Sequence, residues 1–115
     1  MVARGYVPDA GDVVWVDFVP QVGHEQAGRR PAVILSPRIY NERAGLAVVC
    51  PVTSHVKNYP FEVQLPAGSK VRGAILADQL KSVDWRQRRA EKFGRVSAAI
   101  LTEVRQRVAA LIGLL

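Results

Sequence analysis

The stretch GHEQAGRRPAVILSP, residues 23–37, places a histidine, a glutamate, a glutamine and two arginines directly before a strand-like apolar block. Glu25 and Arg30 are the pair in it that could do chemistry, because a carboxylate can accept a proton and a guanidinium can bind an anion through two parallel hydrogen bonds. Two glycines make the intervening backbone adaptable, and Pro31 fixes the entry to the strand. Taken alone, the pair fits a loop salt bridge better than a catalytic site, because most such pairs simply lie on surfaces.

The chain that must position this pair has the size of one small domain. Its 115 residues are 49% hydrophobic, too apolar a composition for a disordered chain. No charge-free run approaches the roughly 20 residues that a membrane span requires. Pro8, Asp9 and Asp12 stand where a signal peptide needs an apolar core, so we expect a cytoplasmic protein with no membrane segment. We predict one domain over residues 1–115.

Cysteine and histidine are scarce. The lone Cys50 lies in the apolar run LAVVCPV, so we interpret it as an inert core thiol rather than a nucleophile. With His24 and His55 as the only imidazoles, no metal site can be assembled by spacing. We therefore expect neither a metal nor a cofactor.

The net charge of +6 favours an anionic partner, and nucleic acid is the commonest candidate. Basic side chains are concentrated between Lys81 and Arg95, against only Asp84 and Glu91 in the same segment. Two interpretations stay open for this basic segment: an ordinary solvated surface, or a strip that faces phosphates.

Hydrophobic alternation predicts strands over residues 12–18, 32–35, 46–52, 61–65, 73–81 and 92–96, with a turn of helix over 38–43 closed by Gly45. A terminal helix follows from Ser97, a residue type that favours the N-cap, to Gly113. Its apolar stripe indicates packing against the core or a second subunit. We interpret Trp15 and Trp85 as packing residues. Short strands followed by one helix favour a small, strongly bent barrel, a mostly β fold of the α+β class with about five to seven strands.

Several segments, in their order and spacing, resemble the MazF toxins of the wider MazF/PemK group of bacterial toxin–antitoxin systems, nearly end to end. They are YVPDAGDVVWVDF, GHEQAGRRPAVILSP, CPVTS with KNYPFEV after it, ADQLKSVDWR and the terminal amphipathic helix. The resemblance implies an SH3-like barrel related to the CcdB fold and assembled as a homodimer. It also implies a ribonuclease that cuts single-stranded RNA at short preferred sequences without a metal, and inhibition by a cognate antitoxin.

A metal-free ribonuclease can use the 2′-hydroxyl of its substrate as nucleophile, so the protein must supply a base, an acid and stabilisation for the phosphorane. Arg30 matches the arginine of the family's E-Q-x-G-x-R-P motif, which implies transition-state stabilisation or proton donation. Glu25, from the same motif, is the candidate base, and Thr53 of CPVTS matches a family hydroxyl that can hold the scissile phosphate. Some relatives place a catalytic arginine just before the ADQ segment. In this chain that position is Leu76, so Arg30 is left as the candidate catalytic arginine.

Further residues are candidate RNA contacts, each weak on its own. They are Phe18, Gln21, His24, Gln26, Ser54, Lys57, Tyr59, Asp78 and Lys81. Lys57 could contact a phosphate, and an aromatic ring such as that of Tyr59 could stack on a base. For His24 two interpretations stay open, an RNA contact or a residue with no functional role.

Two other functions remain open at this point. One is a non-enzymatic gyrase poison like CcdB, although the chain ends in ALIGLL and has no aromatic-rich tail of the kind that CcdB uses. The other is an RNA-binding barrel without catalysis. As partner we predict a MazE-like antitoxin whose acidic, extended C-terminal tail covers the same basic groove and competes with RNA.

Overall fold

The computed structural model describes residues 5–18 and 28–114. Within these residues the chain forms seven β-strands and two α-helices. In chain order they are β1 (Asp12–Phe18), β2 (Gly28–Ile34), α1 (Arg38–Ala44), β3 (Leu46–Thr53), β4 (Glu62–Gln64), β5 (Ala74–Leu76), β6 (Lys81–Asp84), β7 (Glu91–Arg95) and α2 (Ala98–Leu111).

The strands form one antiparallel sheet in the order β4-β5-β3-β2-β1-β7, and β6 pairs with β3 beside this path. The eight-residue strand β3 is the branch point. One of its edges pairs with β2, and its other edge pairs first with β6 and then with β5. The predicted mostly β fold with a C-terminal helix is confirmed.

The sheet buries apolar side chains on both faces, which accounts for the near-continuous apolar runs in β1 and β3. One set, here called the first face, contains Val14, Val16, Phe18, Ala32, Ile34, Ala47, Val49, Val83 and Trp85. The other set, the helix face, packs with Val104 of α2 and contains Val13, Val33, Leu35, Cys50, Val52, Val63 and Ile75. Alternate residues of β1, β2 and β3 therefore serve two different cores.

The strand predicted over residues 73–81 is wrong as a continuous element. It is divided into β5, a 3₁₀ turn at Ala77–Gln79 and β6. On β3, the ladder with β6 is separated from the ladder with β5 by two residues, Cys50 and Pro51. On the partner segment, the same two ladders are separated by residues 76–80. The turn takes up the excess length, and Pro51 has no backbone N–H to continue a ladder. The other predicted strands differ from the structure at their ends, most of all β2, which begins at Gly28.

Both helices have the predicted boundary features. Gly45 ends α1 in a left-handed conformation, with φ of 71°. Ser97 caps α2, and its side chain accepts a hydrogen bond from the backbone N–H of Ile100 at 3.2 Å. No helix in the described ranges is long and apolar enough to cross a membrane.

The two tryptophans pack in different surroundings. Trp85 is buried at 1% exposure, and its indole N–H donates to the carbonyl of Asn41 at 2.9 Å. Trp15 remains 36% exposed and stacks on the ring of Phe93, with 4.8 Å between the ring centroids. Trp85 therefore packs in the core as predicted, whereas Trp15 packs against Phe93 and stays partly exposed.

Candidate functional site

Arg30 and Thr53 lie at the same end of the sheet. The pairing of β2 with β3 ends at Ala32 opposite Pro51, and Arg30 and Thr53 are each two residues beyond that pair. Arg30 also pairs with Val16 of β1, a residue of the first face. Because side chains alternate along a strand, Thr53 has the same parity as the first-face residue Val49, so both candidates belong to the first face.

Lys81 and Phe18 complete this group. Lys81 pairs with Val49 through β6, and its ammonium nitrogen lies 5.4 Å from the ring centroid of Phe18, within the range of a cation–π contact. Phe18 is the last residue of β1 and is buried. We call Phe18, Arg30, Thr53 and Lys81 the strand-end cluster. It combines two cations, a hydroxyl and an aromatic ring contributed by four different strands.

Thr53 is held tightly at the end of β3. Its Oγ1 accepts a hydrogen bond from the backbone N–H of His55 at 3.1 Å, and the residue is buried. Gly73 packs directly against it: a Cβ atom at Gly73 would lie 1.9 Å from the carbonyl oxygen of Thr53. Sequence reasoning missed this position, although a glycine at the start of a predicted strand can signal such a close approach. Ser54, the next residue, is exposed.

The segment after Thr53 is organised by Glu62, another residue that sequence reasoning missed. The buried carboxylate of Glu62 accepts the backbone N–H of Lys57 at 3.0 Å and that of Asn58 at 2.8 Å. These bonds fix the backbone of the turn, while Lys57 itself is exposed. Lys57 is thus presented to solvent from a constrained turn, as a contact to a phosphate would require.

The side chains of Tyr59 and Asp78 are hydrogen-bonded to each other. The hydroxyl of Tyr59 donates to Asp78 Oδ2 at 2.5 Å, and burial together with this bond raises the pKa of Tyr59. Asp78 Oδ1 is buried and has no hydrogen-bond partner within the described chain. Burial, with the nearby charge of Asp78, also raises the pKa of Cys50 to about 12, which agrees with the prediction of an inert core thiol.

With the fold and these contacts in hand, comparison with known proteins identifies the family. Residues 9–112 match the family described as PemK-like, MazF-like toxin of type II toxin-antitoxin system. The chain belongs to this family. The predicted family is confirmed.

Relatives of this MazF-like chain include the endoribonuclease toxin MazF of Escherichia coli K12, which is 50% identical over 113 residues, covering 98% of this chain and 100% of the relative. The crystal structure of MazF from Deinococcus radiodurans is 56% identical and superposes with a TM-score of 0.90, covering 94% of this chain and 98% of that one. A MazE-MazF crystal structure from the same organism is 55% identical with a TM-score of 0.86, covering 96% and 99%. The predicted class of enzyme is confirmed by these relatives.

Four candidates of the MazF-like chain fall outside the described residues. They are Gln21, His24, Glu25 and Gln26. The candidate base and three candidate RNA contacts therefore stay predictions.

Much of the predicted basic segment is engaged in ion pairs. Arg89 contacts Asp17 at 2.7 Å, and Arg95 contacts Asp12 at 2.6 Å. Lys92 also reaches Asp12, at 3.3 Å, and the guanidinium of Arg86 lies 4.8 Å from the ring centroid of Trp85. The acids that neutralise Arg89, Arg95 and Lys92 come from β1, a distant part of the sequence. For these three side chains the structure favours a salt-bridged surface over a strip that faces phosphates.

Proposed function

We propose that this MazF-like chain is an endoribonuclease toxin that cleaves single-stranded RNA at short preferred sequences without a metal. The observation that carries the proposal is the strand-end cluster, in which Arg30 and Thr53 share one end and one face of the sheet, and Lys81 contacts the ring of Phe18. An arginine fork, a hydroxyl and a second cation are groups that suit a phosphodiester.

In the proposed reaction the 2′-oxygen of one nucleotide attacks the adjacent phosphorus and the bond from phosphorus to the 5′-oxygen breaks. The 2′-hydroxyl proton goes to a base, for which Glu25 is the candidate, and the leaving 5′-oxygen takes up a proton. The products are a 2′,3′-cyclic phosphate and a 5′-hydroxyl. The family resemblance and the chemistry of these side chains support this route, since no atom beyond RNA and protein groups is needed to balance it.

Arg30 and Thr53 would act on the phosphate itself. The guanidinium of Arg30 stays protonated at neutral pH, so it can donate to the non-bridging oxygens and offset the charge of the phosphorane. Thr53 Oγ1 already accepts the N–H of His55, which fixes the oxygen and leaves the hydroxyl proton available to a phosphate oxygen. The positive charge of Lys81 adds long-range attraction for the phosphate backbone of the RNA.

Single strands fit this mechanism better than duplexes. In-line attack requires the 2′-oxygen, phosphorus and 5′-oxygen to be collinear, and A-form stacking resists that geometry. Unpaired bases can be splayed across a protein surface and contacted at their edges. Lys57, Ser54 and Tyr59, on the turn after Thr53, are the described residues best placed to contribute such contacts.

For partners we propose a homodimer and a MazE-like antitoxin with an acidic C-terminal tail, acting in the cytoplasm, where RNA is available. Solved structures of the Deinococcus radiodurans relative include complexes named MazE-MazF. The net charge of +6 supports an acidic partner that competes with RNA for the same surface.

The test is incubation of purified protein with a long unstructured RNA in chelator, with mass spectrometry of the fragment ends. We expect cyclic phosphate and 5′-hydroxyl ends, and a loss of kcat on the order of 100- to 1,000-fold in Arg30→Ala. Arg43→Ala, which removes one positive charge from the exposed side of α1, is the matched control and should cleave like the wild type.

Other results of this assay would point to other functions. Unchanged cleavage by Arg30→Ala would refute the mechanism. RNA binding without cleavage under any condition would indicate a non-catalytic barrel, and growth arrest with intact RNA and broken DNA would indicate a gyrase poison.

A further inference from the structure

Asp17 is the centre of a set of charged contacts close to the strand-end cluster. Its Oδ1 contacts Arg29 Nη1 at 3.0 Å, and its Oδ2 contacts Arg89 Nε at 2.7 Å. Arg29 Nη2 also donates to the carbonyl of Arg89 at 2.9 Å and reaches Glu91 Oε1 at 3.4 Å. We call Asp17, Arg29, Arg89 and Glu91 the Asp17 network. It joins the ends of β1 and β2 to the turn before β7.

The backbone reinforces the same junction. The N–H of Asp17 donates to the carbonyl of Arg88 at 3.0 Å, and Arg88 Nη1 donates back to the carbonyl of Asp17 at 3.2 Å. The end of β1 is thereby tied to the segment around residues 88–91 through both main chain and side chains.

The position of the network on the sheet is specific. Asp17 and Arg29 are directly opposite each other in the ladder, and the adjacent residues, Phe18 and Arg30, belong to the strand-end cluster. Because side chains alternate, the network lies on the reverse side of the two strands that present Phe18 and Arg30. Fixing the strands from behind holds the backbone position from which the Arg30 side chain extends.

Stability alone gives little reason for this arrangement. The side chains of Asp17 and Arg29 are 34% and 31% exposed, and that of Arg89 is 67% exposed. Ion pairs this exposed contribute little to folding. Arg89 also has φ of 54°, a left-handed conformation that is uncommon for a residue with a side chain and tends to be kept where the local geometry matters.

We propose that the Asp17 network is a positioning device for Arg30 in RNA cleavage, an inference that rests on the proposed function. Asp17 never touches the substrate. It holds β1, β2 and the turn before β7 in one arrangement, so that the Arg30 guanidinium meets the phosphate in the geometry of the transition state. A misplacement of about 1 Å at a reacting centre can cost up to about 100-fold in rate.

The network also has an electrostatic consequence that separates positioning from binding. Asp17→Asn removes the carboxylate charge that Arg29 and Arg89 share and raises the formal net charge from +6 to +7. More positive charge beside the cluster attracts RNA at least as strongly as before. The substitution should therefore lower kcat per titrated active site without raising KM. General damage to the fold would instead lower the number of active sites and leave kcat per site unchanged.

The experiment measures kcat and KM on a short single-stranded RNA with one cleavage site, with active sites titrated. We expect Asp17→Asn to lower kcat on the order of tenfold, with KM equal or lower. Arg89→Gln, which leaves the contact of Arg29 with Asp17 in place, should lower kcat by less, and Asp17→Glu should recover part of the loss. The matched control is Glu103→Gln, which removes one acid and one exposed pair, with Arg107 at 3.4 Å, from helix α2 and should change neither constant.

A kcat of Asp17→Asn within twofold of the wild type would overturn the inference, whatever happens to KM. If Asp17→Asn does not fold, the exposed Arg89→Gln decides, and a wild-type kcat there would overturn it equally. A wild-type protein that cuts no RNA contradicts the proposed function itself. A wild type that cleaves beside an equally active Asp17→Asn contradicts only the positioning role.

Discussion

The two ends of β1 each carry an aspartate with two basic partners, and they differ in exposure. Asp12, at the start of the strand, has a side chain that is 2% exposed, and Asp17, near its end, has one that is 34% exposed. A buried carboxylate costs free energy unless all its hydrogen bonds are made, so Asp12 belongs to the fold. An exposed carboxylate can be replaced at little cost in stability, which leaves Asp17 free to serve the site.

Both carboxylate oxygens of Asp12 have hydrogen-bond or ion-pair partners. Oδ2 accepts the hydroxyl of Tyr6 at 2.8 Å and the backbone N–H of Asp9 at 3.0 Å, while Oδ1 faces Arg95 and Lys92. Burial and the bond to Asp12 raise the pKa of Tyr6. This end of the strand joins the N-terminal segment to β7.

At Gly73, stability and catalysis should depend on the same contact, so this residue tests whether fold and site can be separated. Its φ is 111°, and a Cβ would lie 1.9 Å from the carbonyl oxygen of Thr53. We expect Gly73→Ala to lose on the order of 3 kcal/mol of unfolding free energy or more, and to lower kcat as well, because the end of β3 must move.

Urea unfolding and the cleavage assay on folded protein would measure both effects. Gly68→Ala is the matched control, since Gly68 also has a positive φ, of 86°, but nothing lies within 4 Å of its Cβ position. It should lose about 1 kcal/mol from backbone strain and retain its kcat. Equal losses in the two variants would show that contact with Thr53 is unimportant.

Asp12→Asn should affect stability alone. Each oxygen of Asp12 accepts from donors, so an amide NH₂ group in either orientation would face a donor inside the protein. We expect a loss of about 3 kcal/mol in urea unfolding, with kcat per folded molecule unchanged. A lower kcat in folded Asp12→Asn would mean that the two ends of β1 are coupled and that the comparison fails.

The smallest expected effect is the pH dependence of the Asp17 contribution. Hydrogen bonds from Arg89 and then Arg29 hold the pKa of Asp17 below its ordinary value of 3.8. A carboxyl with a depressed pKa stabilises the fold above its unfolded pKa and loses that contribution as the pH falls through its folded pKa. The difference in unfolding free energy between wild type and Asp17→Asn should be small and constant above about pH 5, and should shrink below pH 3.8. A difference that grows on acidification would show that the pairing is unfavourable.

The sequence was sufficient where one short-range pattern determines the structure. The bounds of β1 follow from its β-branched and aromatic residues between Gly11 and Pro20. The end of α1 follows from Gly45, and the start of α2 follows from Ser97. It failed over residues 73–81 because the division between β5 and β6 depends on which part of β3 each one meets. Long-range pairing of that kind leaves no local signal.

The same distinction applies to the candidate site. Arg30 and Thr53 stand out from the sequence through the family resemblance, and the structure places both at one end of the first face. Glu62 and Gly73 do not stand out, since their roles are to hold backbone groups from distant segments. The pairing of Arg89 and Arg95 with acids of β1 is equally invisible along the chain, so the basic segment suggested more free charge than the fold leaves.

The contrast between the two tryptophans gives the protein an optical reporter of its own. Trp85 is sealed in the core, whereas Trp15 lies on the surface of β1, two residues from Asp17 and opposite Glu91 in the ladder with β7. We expect a soluble quencher to reach Trp15 and not Trp85, so the quenchable part of the tryptophan fluorescence should come from the strand that carries the Asp17 network. Any movement of that strand would thus be visible in the unlabelled protein.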